Sequence, residues 1–83
     1  MTRSTEPLLE RIARVLAGSE LSSNAQGDNP HAGPEVDARW RDHVNEALAV
    51  LHTMREPDEA MAAVGDAEMW RTMVEAAIAQ KIS

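Results

Sequence analysis

The chain has 83 residues, carries 8 basic against 14 acidic side chains for a net charge of −6, and contains no Cys, Phe or Tyr. A chain this short makes one small domain that buries only about 60% of its unfolded surface, so it depends on efficient packing or on a partner. The missing cysteines exclude disulfides, thiolate metal sites and thiol catalysis. The lack of a long apolar run excludes a membrane span, and the acidic balance opposes nonspecific nucleic-acid binding.

The polar opening Met1-Thr2-Arg3-Ser4-Thr5-Glu6-Pro7 has no secretory pattern, so the expected location is cytoplasmic. A first helix is predicted over 6–17. Leu8, Leu9, Ile12, Ala13, Val15 and Leu16 fall at helical spacing, with Glu10, Arg11 and Arg14 on the other face. Ser4 or Thr5 can cap its start, and Gly18 is a natural C-terminal stop. Residues 19–33 are rich in Ser, Asn and Gly, with Leu21 their one strongly apolar side chain, and are expected to form a flexible loop.

The longest helix is predicted over 35–56. Val36, Trp40, Val44, Ala47, Leu48, Leu51 and Met54 make one continuous stripe, and Glu35–Arg39 and Asp37–Arg41 are i,i+4 pairs with the acid leading. Pro57 cannot continue this helix but can begin another. Pro57-Asp58-Glu59 reads as the first turn of a short helix that ends at Gly65, with Ala60, Met61 and Val64 as its buried face. Asp66 then caps a last helix over about 67–81, which offers two adjacent stripes. One is Met69 (or Trp70), Met73, Ala76 and Ala77; the other is Trp70, Val74, Ala77 and Ile78. So broad an apolar face implies contact on two sides. Lys81 falls in the last turn, where the helix dipole favours a cation. The expected fold is all-α: a single domain over 1–83, built as a small helical bundle of three main helices plus one short linking helix.

Three segments occur in order: Glu10-Arg11-Ile12-Ala13-Arg14-Val15-Leu16, Met54-Arg55-Glu56-Pro57-Asp58-Glu59-Ala60-Met61 and Trp70-Arg71-Thr72-Met73-Val74-Glu75-Ala76-Ala77-Ile78. Together they resemble a group of small uncharacterised bacteriophage and prophage proteins, over most of the chain apart from 19–33. The resemblance implies a mobile-element origin. It brings no catalytic residues and no mechanism.

No reaction chemistry is written in the residues. His31, His43 and His52 raise the question of a metal, with Asp42, Glu46 and Glu56 in helical reach of the last two. His43 and His52 share no turn, and a site needs three or four converging ligands; they read as solvated surface histidines. Nucleophilic catalysis would need a Ser or Thr beside a positioned base. The Ser residues cluster instead in the loop and near the N-terminus. The order helix, short helix, helix suggests a DNA-binding helix-turn-helix, but 66–75 carries Asp66, Glu68 and Glu75 against Arg71 alone. The expectation is therefore a non-enzyme without metal or cofactor and without direct contact to nucleic acid or membrane.

Glu56, Asp58, Glu59, Asp66 and Glu68 form the densest acidic group. Acids are favoured at helix starts, which explains all five. The same five could also form a partner-binding surface for Arg or Lys. Trp40 and Trp70 read first as core and second as interface anchors; Met54, Met61, Met69 and Met73 read as adaptable core filler. The functional expectation is a phage-type accessory protein that binds a host protein with a basic surface. Its most specific form is an inhibitor of host defence, anti-CRISPR-like, acting on a nucleoprotein effector. The alternatives are a virion structural or packaging accessory and an oligomerising helical module, with a homodimer through a leftover apolar face.

Overall fold

The computed structural model describes residues 5–25 and 34–80. These are all-α, without a strand. Helix α1 spans Leu8–Ala25, α2 Pro34–Arg39, α3 Val44–Met54, α4 Glu59–Val64 and α5 Ala67–Ala79; a tight 3₁₀ turn, Trp40–His43, joins α2 to α3.

Two boundaries differ from expectation. Gly18 does not stop α1, which runs on to Ala25, so the first part of the expected 19–33 loop is helix. Residues 26–33, including His31, lie outside the described residues, as does Lys81. The reason for the extension is packing. Ala13 and Ala17 are fully or almost fully buried, and Gly18 is buried beside them. This small-residue face lets the α1 backbone approach the Trp40–His43 turn closely, and its burial outweighs the roughly 1 kcal/mol that a mid-helix glycine costs.

The expected 35–56 helix is likewise not continuous. The breaks fall at Arg39 (φ −116°, ψ −11°), just before the 3₁₀ turn, and at His43 (φ −105°, ψ 9°), its last residue. Three residues per turn bring positions i and i+3 into line. Trp40 and His43 thereby face inward together, 3% and 9% exposed. His43 is thus not a surface histidine. Its Nδ1 lies 2.6 Å from Glu46 Oε1 and its Nε2 lies 3.5 Å from Glu20 Oε2, a carboxylate supplied by the extended part of α1. Asp37 also turns to α1 and accepts from Arg14 at 2.7 Å. Arg14 and Arg41 both stack over the Trp40 ring, at 5.5 and 4.3 Å from its centroid.

The predicted stripe otherwise forms the core. Leu9, Ala13, Ala17, Trp40, Ala47, Leu51, Val74 and Ala77 make one buried cluster, with Ile12, Leu16, Leu48 and Ile78 packed on it. Helices α1, α3 and α5 meet around this cluster, and α2 lies on α1. Helix α4 buries no residue.

Candidate protein-docking surface

Residues 55–80 fold back from α3 as a hairpin of α4 and α5, and each of its corners has an identifiable cause. Pro57 ends α3, after the Arg55 amide has donated back to Leu51 O at 3.1 Å. Asp58, in extended conformation, accepts from the Met61 amide at 2.9 Å and starts α4. Asp66 accepts from the amides of Glu68 (3.0 Å) and Met69 (3.2 Å) and starts α5. The hairpin is tied to α3 by the indole of Trp70, whose Nε1 donates to Met54 O at 2.6 Å. Arg71 reinforces the tie with two bonds to Glu56, at 2.9 and 3.3 Å. That contact holds the Glu56 carboxyl below its ordinary value: the Arg71 hydrogen bond is the main cause and its charge the second.

The five acids of the predicted surface are therefore brought onto one hairpin, all exposed, but they do different work. Asp58 and Asp66 cap helices, and Glu56 is engaged by Arg71. Glu59 and Glu68 make no ion pair among the described residues. Over 55–80 the six carboxylates face only Arg55 and Arg71, and both arginines are drawn into ion pairs, Arg55 with Glu75 at 3.8 Å.

The methionines and Val64 overturn the expectation of core filler. Val64 is 89% exposed, Met73 63%, Met69 56% and Met61 39%; Met54 alone is mostly covered. Of the two stripes on α5, Trp70–Val74–Ala77–Ile78 faces the core, whereas Met69–Met73–Ala76 faces outward. The expected contact on two sides is present on one. Ala60, Met61 and Val64 do not bury because α4 is too short to reach back to α1 or α3; Met61 and Val64 instead join α5 in lining an open groove of about 370 Å³. Pro57, Ala67 and Trp70 complete its walls, and the Asp66 carboxylate at its edge is already committed to capping. Sequence reasoning missed these residues as a site, although the surplus second stripe on α5 was their signal.

The comparisons with protein-family models, curated proteins and solved structures give no match. Among the described residues no group of three or more His, Asp or Glu side chains could hold a metal ion, and no helix is long and apolar enough to cross a membrane.

Proposed function

We propose that the chain is a stoichiometric, non-enzymatic binding protein of phage or prophage type that engages a host protein through the α4–α5 hairpin. In its most specific form it inhibits a host defence by covering the basic, nucleic-acid-holding surface of a CRISPR–Cas nucleoprotein effector. One observation carries this reading: a hairpin whose first helix, α4, buries no residue displays six carboxylates against two already paired arginines. Helix capping accounts for Asp58 and Asp66. It leaves Glu59 and Glu68 as charge available to an Arg- or Lys-rich surface, and such complementarity steers encounter and sets specificity. Close approach of two hairpins would set acid against acid, which disfavours the homodimer.

The test is binding to a purified CRISPR–Cas effector, with and without Glu59→Lys/Glu68→Lys. These positions reverse charge without removing a cap. We expect saturable binding that blocks the effector's hold on its target DNA, weakens as salt rises, and falls by about tenfold or more on charge reversal. Binding that ignores both salt and charge reversal sinks the acidic-surface reading. An unaffected effector, with co-purification of capsid or tail proteins, would move the chain to the virion.

A further inference from the structure

Among the described residues His43 is the one buried polar side chain, and the acidic hairpin makes no use of it. Its ring stands between carboxylates from two helices. Nδ1 lies 2.6 Å from Glu46 Oε1 on α3, and Nε2 lies 3.5 Å from Glu20 Oε2 on α1. Glu20 belongs to the stretch of α1 beyond Gly18, where a loop is expected and the chain is helical to Ala25. The other charges on the elements packed here have their own places. Arg14 bonds Glu10 and Asp37, and with Arg41 it lies over the Trp40 ring. Asp42 on the same turn and Glu35 and Arg39 on α2 are exposed.

An ionised carboxylate only accepts hydrogen bonds, so each contact needs an N–H from the ring. The imidazolium has two and satisfies both glutamates. The neutral ring has one, and the two distances decide where it stays. At 2.6 Å the Glu46 contact is short even for a charge-assisted bond, whereas 3.5 Å is long for one. The remaining proton therefore sits on Nδ1, toward Glu46, and Nε2 turns a lone pair on the Glu20 carboxylate.

The geometry points to a pH-dependent latch: charged His43 clasps Glu20 and holds the end of α1 against the 3₁₀ turn, and loss of the Nε2 proton to solvent releases that end while the Glu46 contact stays. Histidine is the side chain that ordinarily changes charge between about pH 5 and 8, a range in which carboxylates are ordinarily ionised. The latch contributes stability on the acid side of that change and loses it as pH rises. Leu9, Ala13 and Ala17 keep the earlier turns of α1 in the core, so release is confined to 19–25.

Amide hydrogen exchange over 19–25 reads the latch, with each rate expressed relative to the unfolded chain at the same pH. We expect protection there to fall about two- to fivefold between about pH 5.5 and 8, the scale of an ion pair with a solvent-facing partner. Amides of 74–77 in the core should keep theirs. Two variants separate a latch from an ordinary contact. Glu20→Gln, whose amide can donate to the neutral Nε2, should lose the pH response. Glu46→Gln frees the neutral ring to carry its proton on Nε2, toward Glu20, so protection should persist on the alkaline side. Both side chains are more than half exposed, at 51% and 65%, and circular dichroism verifies that each variant keeps its helices. Nitrogen NMR of the neutral His43 ring should show the proton on Nδ1. A proton on Nε2, parent protection that ignores pH, or a Glu46→Gln variant that loses protection as the parent does, each overturns the latch. A full pH response surviving in Glu20→Gln assigns it to another group and overturns it as well.

Discussion

Asp58 and Asp66 each spend one carboxylate oxygen on backbone amides that would otherwise lack a partner at the start of a helix. Asp58→Ala or Asp66→Ala should each cost about 0.5–2 kcal/mol in urea unfolding, and the Asn variants should recover most of it, because Asn caps as well as Asp. Glu56 behaves differently. Its carboxyl is held below the ordinary 4.5 by Arg71, so at a given acid pH the unfolded chain binds more protons there than the folded one. Its contribution to stability is therefore complete above that ordinary value and is lost as pH falls through the folded one. Both groups face solvent, so the effect is small. Melting temperatures followed from about pH 6 to 3 should fall less steeply for Glu56→Gln than for the parent chain. Among these residues the Asp66 cap was read from the sequence, since an Asp in front of an apolar-periodic run has a local cause, whereas Asp58, expected inside the first turn of α4, stands one position before it as the cap. The Glu56–Arg71 pair was not, because the partners are fifteen positions apart, with two turns of chain between them.

At the scale of elements, Pro57 and Gly65 were both read as punctuation, and they punctuate for different reasons. Pro57 stops α3 by removing a donor. Gly65 ends α4 in an extended conformation (φ −151°, ψ −172°) that any residue can adopt, and a Cβ there would meet nothing nearer than Met61 O at 3.8 Å. Gly65→Ala should accordingly stabilise the chain by about 0.4–1 kcal/mol through the unfolded state, seen as a higher urea midpoint with an unchanged slope. Gly18 was misread in the same way: local propensity marks it as a stop, while burial of the Ala13–Ala17–Gly18 face carries the helix through it. The break at Trp40–His43 has no local signal either. No Pro or Gly lies within 40–43, and the 3₁₀ turn follows from the tertiary demand that Trp40 and His43 both reach α1. Helix identity was legible from periodicity, whereas ends and kinks set by neighbouring helices were not.

The whole molecule divides into a part that holds the fold and a part that does not. Leu51 is fully buried among α1, α3 and α5. Leu51→Ala should cost about 2–5 kcal/mol, a large share of the roughly 4–12 kcal/mol expected for a chain of this length. Val64→Ser, at an equally apolar residue that is 89% exposed, should shift stability by no more than about 0.5 kcal/mol. Thermal denaturation of the two variants side by side checks the division. Sequence patterning named the core stripe of 36–54 correctly but could not separate core from surface on 60–73, because hydrophobicity alone does not say which of two adjacent stripes finds a neighbour. Helix α4, capped at one end by Asp58 and followed by the Asp66 cap of the next helix, buries nothing of its own. Its outward residues are consequently almost free of folding constraint. Substitutions at 60–64 can accumulate while the rest of the chain goes on folding as before, so a single helical turn and a half is open to sequence drift that the core does not feel.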